Sequence, residues 1–225
     1  MSTETRTRTI TLASASPRRD ELLRLTGWNA HVCPVEVDEF PLQDEPAEEL
    51  VKRVALAKAR TAIQNCDESG ILLAADTVVA DGQRLLGKPS DQAEATEMLW
   101  DLRGREHRVL TTIVIIDQHD RREVLITCES SVPMRKYTID EVEAYIYSGA
   151  PLDKAGGYGI QDSFNPVAIE RFHDCYANVM GLPLCHLIRA MRHLGQSPSV
   201  DVPEACQSYL EYDCSVYSEI LGDQV

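Results

Sequence analysis

The chain has 225 residues, enough for one large domain or two lobes around a substantial core. Its 36 acidic against 22 basic side chains give a formal net charge of −14. That balance argues against binding nucleic acid or an anionic membrane through overall electrostatics, and admits an anionic small molecule only where basic residues cluster locally.

No apolar run approaches membrane-spanning length, and the polar segment 1–9 is not a signal peptide. Seven cysteines, scattered and without C-x-x-C spacing, fit thiols used as small apolar residues in a reducing cytoplasm. The first strand is expected over residues 10–13. Ser16 is a good helix N-cap and Pro17 a good first helical residue, because its missing N–H has no intrahelical partner there. Arg18 and Arg19 oppose the positive end of that helix. They read either as a solvated pair or as added charge at an anion site built on free backbone N–H groups. A helix follows over 46–63 and a buried strand over 71–80. An Asp81-Gly82 turn leads to Leu85-Leu86, and Asp91 with Glu94 opens a helix ending near Gly104. Strands over 109–116 and 124–132 flank a polar connection. Thr138 with Glu141 opens a helix stopped at Gly149, and the last clear helix runs from Pro183 to Gly195. After Gly195 come six acids (Asp201, Glu204, Glu211, Asp213, Glu219, Asp223) and no Lys or Arg. This extension reads as packed through Tyr209, Tyr212 and Tyr217 or else mobile. The pattern is α/β with a mixed sheet: one domain over 1–195 and an acidic extension over 196–225.

Several polar residues stand where packing alone would not put them. Asp76 interrupts the apolar run 71–80, and a carboxylate buried there costs several kcal/mol unless it is paired or bound. Lys58 projects from the middle of the apolar stripe Leu50, Val51, Val54, Ala55 and Ala62, either snorkelling outward or pointing into an anion site. Gly82 to Lys88 spells G-x-x-x-x-G-K, but Pro89 supplies neither the metal-binding hydroxyl nor an N–H, which rules out a P-loop; Lys88 stays a candidate phosphate contact. The stretch Asp153-Lys154-Ala155-Gly156-Gly157-Tyr158-Gly159-Ile160-Gln161 lets backbone approach a ligand closely, or is a surface turn.

These segments recur in an order that closely resembles the Maf family of nucleoside triphosphate pyrophosphatases. The resemblance covers residues 12–19, Asp38-Glu39, Ala57-Lys58-Ala59, Ala75-Asp76-Thr77-Val78-Val79, Leu86-Gly87-Lys88-Pro89, Gly104-Arg105-x-His107-x-Val109, 153–161 and Asn178-Val179-x-Gly181-Leu182-Pro183. It implies a two-lobed α/β fold with a long mixed sheet and a central cleft, similar to the inosine triphosphatase fold. It further implies a homodimer, a divalent cation (Mg²⁺ or Mn²⁺), and hydrolysis of nucleotides to the monophosphate and pyrophosphate. By the same resemblance Asp76 is the general base, Arg19, Glu39, Lys58 and Lys88 are cleft residues, and Ser14, Asp153 and Lys154 bind substrate. Arg18, Thr77 and Gln161 match the subfamily acting on dTTP and UTP, whereas the 7-methyl-GTP subfamily carries Glu in place of the glutamine. A glutamate common in the family is Ala150 here, and the acidic extension is atypical.

The residue types suit those roles. Cations match a triphosphate, Glu39 and Asp76 could hold a metal against phosphate oxygens, and Asp76 or that metal could activate water. Gln161 could complement N3–H and a carbonyl of uracil or thymine. A 7-methyl-GTP pyrophosphatase and a non-catalytic, nucleotide-sensing regulator of cell division are the alternatives.

Overall fold

Among residues 8–66 and 70–222, which the computed structural model describes, six strands form one mixed sheet in the order β2-β1-β3-β5-β6, with β4 paired to β3. The strands are β1 (Ile10–Ala13), β2 (Ala30–Val32), β3 (Ile71–Asp81), β4 (Arg84–Leu86), β5 (Glu106–Asp117) and β6 (Glu123–Pro133). β1 lies parallel to both β2 and β3, while β5 and β6 run antiparallel. The near-continuous apolar run of β3 follows from burial on both faces. Its odd residues Ile71, Leu73, Ala75 and Val79 join the larger core, and its even residues Leu72, Ala74, Val78 and Ala80 join two smaller clusters on the other face.

Helix α1 (Pro17–Arg24) carries the chain from β1 to β2 and buries Leu22 and Leu23 in the larger core. Helix α2 (Ala47–Asn65) returns from β2 to β3 across the opposite face, burying Leu50, Val51 and Val54, each worth ~1.5–3 kcal/mol. The chain therefore crosses to different faces on leaving and rejoining the sheet around β1. The carboxyl end of β1 becomes a topological switch point, where open α/β sheets hold ligands. α3 (Gln92–Leu102), α4 (Ile139–Tyr147), α5 (Tyr176–Val179) and α6 (Leu184–His193) pack on the larger core.

The extension folds as α7 (Val202–Leu210) and α8 (Tyr217–Leu221) and packs, with Val202 buried and Cys206, Leu210, Tyr212 and Leu221 against the larger core. Asp223 and residues 1–7 lie outside the described residues.

Three expectations need correction, and one element was missed. Ser16 stands at the N-cap and Pro17 opens the helix as expected, but the Ser16 side chain makes no cap; its N–H donates to Ser14 Oγ at 3.2 Å, because Ser14 sits two residues upstream in the tight exit from β1. Glu94 turns to the Ser90 N–H and hydroxyl, so the Asp91 capping box is half made, whereas the Thr138–Glu141 box is complete. β2 is a strand that three half-exposed residues did not announce. Cys33 and Cys66 form a disulfide, since the exit of β2 and the C-terminus of α2 meet; only the other five cysteines are thiols. Among the described residues no helix is long and apolar enough to cross a membrane.

Candidate active site

The register of the sheet creates a notch. β1 pairs with residues 71–74 of β3 on one edge, and β4 pairs with 79–81 on the same edge. Residues 75–78 between them face neither strand, and a cleft of about 350 Å³ opens there. The turn after β1, the turn after β4 and the loop from β2 to α2 all end at this gap. The glycine-rich segment closes it, docked by the Gly156 N–H donating to Gly87 O at 3.0 Å. Gly156 holds φ +71°, and a Cβ there would stand 3.2 Å from Val79, so the close approach needs glycine. Ser14, Arg18, Arg19, Glu39, Lys58, Asp76, Thr77, Lys88, Asp153, Lys154 and Gln161 all line this one cleft.

Asp76 and Thr77 point to opposite faces of β3, and only the missing neighbour lets both reach the cavity. On the α2 face, Lys58 Nζ lies between two carboxylates, donating to Asp76 Oδ1 at 2.7 Å and pairing with Glu39 Oε1 at 2.6 Å. Lys58 is 7% exposed and Asp76 8% exposed. The lysine therefore does not snorkel; it occupies the apolar stripe because the carboxylates across the notch neutralise it. Burial raises the pKa of Asp76 above the usual carboxylate range against the pull of Lys58 and Arg19, with Glu39 adding to the rise. Glu39 differs: burial would raise it too, but Lys58, Lys88 and Arg19 together hold it below its ordinary value. Two neighbouring carboxylates are thus pushed apart in basicity, the pattern expected of an acid–base site.

On the opposite face Arg19 is held by its own protein through three of its five N–H groups. Nε donates to Gly181 O (2.9 Å), Nη1 to Ser14 Oγ (3.2 Å) and Nη2 to Thr77 Oγ1 (2.9 Å). Thr77 Oγ1 in turn meets Thr111 Oγ1 at 2.9 Å, and Thr111 donates to Asn178 O at 3.0 Å. Gly181 has φ +102°, and an added Cβ would meet Thr77 Oγ1 at 3.1 Å and Arg19 Nε at 3.2 Å. The Asn178-to-Pro183 segment therefore positions Arg19 and Thr77. The residue chemistry gave it no role, although its glycine was visible.

The rim is looser. Arg18 pairs with Asp153 at 2.8 Å, and Lys154 Nζ donates to Ala150 O (2.6 Å) and Asp153 Oδ1 (2.7 Å). Lys88 is exposed and makes no ion pair among the described residues. Gln161, also exposed, donates from Nε2 to Asp162 Oδ1 at 3.2 Å, which leaves its carbonyl free to accept. Val79, Val109, Tyr158 and Met180 add apolar walls that residue-by-residue reading did not single out. Tyr158 OH meets His107 Nε2 at 2.7 Å; burial, with Arg105 adding to it, pushes the His107 pKa down to about 3 and keeps that ring neutral at ordinary pH.

No group of three His, Cys, Asp or Glu able to cage a metal occurs among the described residues. Asp76 and Glu39 remain as two hard oxygen donors sharing one lysine, a set suited to a small divalent cation that takes its other ligands from phosphate and water.

The family model described as Maf-like protein matches residues 9–194. The chain is 42% identical over 192 residues to a dTTP/UTP pyrophosphatase of Dehalococcoides mccartyi, covering 85% of this chain and 84% of that one. It is 43% identical over 188 residues to a dTTP/UTP pyrophosphatase of Chlorobium phaeovibrioides, covering 82% and 96%. Among solved structures it is similar to the Staphylococcus aureus Ham1 protein, with a TM-score of 0.39 and 16% identity over 56% of this chain and 72% of that one. The ordered motifs, the notch that gathers them and the match over most of its length agree: this chain belongs to the Maf family.

Proposed function

We propose that the protein hydrolyses UTP and dTTP to the monophosphate and pyrophosphate. The observation that carries this reading is the buried Asp76, raised in pKa and held by Lys58 beside an ionised Glu39, in a cleft rimmed by further cations. The relatives' activity supports the substrate assignment.

In this reading Lys88, Arg18 and Lys154 match the triphosphate charge, and Lys88 does so without first breaking an ion pair. Arg19, held by three internal acceptors, contributes fixed positive charge and keeps Thr77 in place. Asp76 takes a proton from the water that attacks the α-phosphorus, since a carboxylate of raised basicity is a better acceptor near neutral pH. Lys58 holds both carboxylates at the attack point and stabilises the charge that develops there. Glu39 and Asp76 would hold Mg²⁺ or Mn²⁺, which would supply charge neutralisation of the phosphates. The Gln161 carbonyl, with its amide turned to Asp162, accepts N3–H of uracil or thymine and meets no such donor on cytosine.

A homodimer belongs to the same proposal, supported by Ile139, Tyr147 and Trp100, large apolar side chains exposed beside one groove of α3 and α4. A cytoplasmic setting belongs to it through the nucleotide substrate and the five thiols, with the Cys33–Cys66 bond as the departure.

The test is pyrophosphate release from UTP, dTTP and 7-methyl-GTP with Mg²⁺. The proposal expects turnover of the first two well above the third. Preference for 7-methyl-GTP would overturn the substrate, and nucleotide binding without turnover would favour the sensing regulator.

A further inference from the structure

The end of α7 lies beyond residues 9–194 that match the family, yet it lines a groove that adjoins the substrate cleft. A second groove of about 560 Å³ adjoins the first, and Arg18, Gln161 and Met180 line both. Its far wall is the extension: Tyr209, Leu210 and Glu211. The wall is anchored at both ends. Tyr209 OH donates to Glu21 Oε2 on α1 at 3.0 Å. Tyr212 donates to Phe172 O at 3.0 Å, and its ring packs on Phe172 and Tyr176 with centroids 5.6 and 5.4 Å away. Between these anchors Glu211 ends α7 in the left-handed region at φ 48°, its N–H donating to Gln207 O. α7 therefore ends at a defined place beside Gln161.

We infer that the C-terminal extension forms a specificity wall of the active site, in which Tyr209 and Glu211 receive a substituent projecting from the nucleotide base past Gln161. The inference rests on the proposed UTP and dTTP hydrolysis, because it takes Gln161 as the residue facing the base. The groove offers tyrosine rings and Leu210 for an apolar stem, and sets the carboxylates of Glu21, Asp162 and Glu211 against one cation, Arg18, which already pairs with Asp153. That lining accepts a neutral or cationic substituent on a pyrimidine and disfavours an anionic one. Only a base carrying such a substituent fills the groove, so the wall governs relative more than absolute turnover.

The probes are UTP, 5-aminoallyl-UTP and 5-carboxy-UTP, compared by kcat/KM for pyrophosphate release in wild type, Tyr209→Ala and Glu211→Lys, with melting curves for each. Both side chains are exposed. Wild type should favour the aminoallyl over the carboxy nucleotide. Glu211→Lys should shrink or invert that ratio by roughly fivefold, the scale of one exposed charge pairing. Tyr209→Ala should raise KM for both substituted nucleotides relative to UTP. Equal ratios in all three proteins, with UTP still hydrolysed and folding intact, would overturn the wall while leaving the proposed activity standing. A wild type that releases pyrophosphate from none of the three would overturn the activity and the wall with it. Where Glu211→Lys melts early, Glu211→Gln is read in its place, with the aminoallyl preference expected to fall.

Discussion

The two sides of the cleft are built differently. The inner side, formed by β3, α1 and α2, is buried and wired: Lys58 to Asp76, and Arg19 to Ser14, Thr77 and Gly181. The outer side, formed by Glu39, Lys88 and Gln161, is exposed and carried on loops or tight turns. The inner side is organised before substrate arrives, as groups that act on a reacting bond must be, whereas the outer side can adjust to what it binds. Substitutions on the inner side should therefore change both stability and kcat. Those on the outer side should change KM.

The largest expected effect is at Lys58. Lys58→Ala leaves Asp76 buried without its partner, and urea unfolding should show a loss of about 3–5 kcal/mol together with a collapse of kcat. An effect confined to KM would place Lys58 with the outer side. Next comes the paired substitution Cys33→Ser with Cys66→Ser, which frees the base of the loop bearing Glu39. Opening a cross-link between residues 33 apart should cost about 2–4 kcal/mol, and KM should rise more than kcat falls. An unchanged KM would mean that the ion pair with Lys58 alone sets the Glu39 position. Gly181→Ala imposes strain of about 1–3 kcal/mol at φ +102° and crowds Arg19 and Thr77, so its melting temperature and kcat should fall together. The smallest effect is at Lys88, where Lys88→Ala should raise KM about tenfold with no change in melting temperature.

The same contrast divides what could be read from the sequence. Long apolar or amphipathic runs put α2, β3, β5 and β6 where the structure has them, because periodicity and burial agree over those lengths, and the Ser16-Pro17 start signal placed α1 after the short β1. Asp76 and Lys58 stood out as charges in apolar surroundings, and ordered motifs tied them to residues far along the chain. The notch was not legible. It exists because β1 stops at Ala13 while β3 continues to Asp81 and β4 returns only as far as Val79, and strand register is a property of pairs. The Cys33–Cys66 bond was hidden because it joins the exit of β2 to the C-terminus of α2, a meeting that only the packing of α2 on the sheet creates. Arg18 and Arg19, adjacent and alike in sequence, separate only in three dimensions: one reaches the rim at Asp153, and the other is buried against Gly181. The extension, read as packed through Tyr209, Tyr212 and Tyr217 or else mobile, does pack, but its composition could not reveal that Tyr209 meets α1.

The central claim is that the buried carboxylate of the inner side takes the proton from the attacking water. It is tested most directly by pyrophosphate release from UTP against pH in wild type and Asp76→Asn. A base acts only when ionised, and burial raises the Asp76 pKa whereas a cation held there would lower it, so the wild-type rate should fall with decreasing pH at a point that moves lower as Mg²⁺ is raised. Asp76→Asn should lose about 10²- to 10⁴-fold in kcat at every pH while keeping its fold and its nucleotide binding. A folded Asp76→Asn protein turning over UTP within about threefold of wild type would contradict that claim, since general-base losses are far larger.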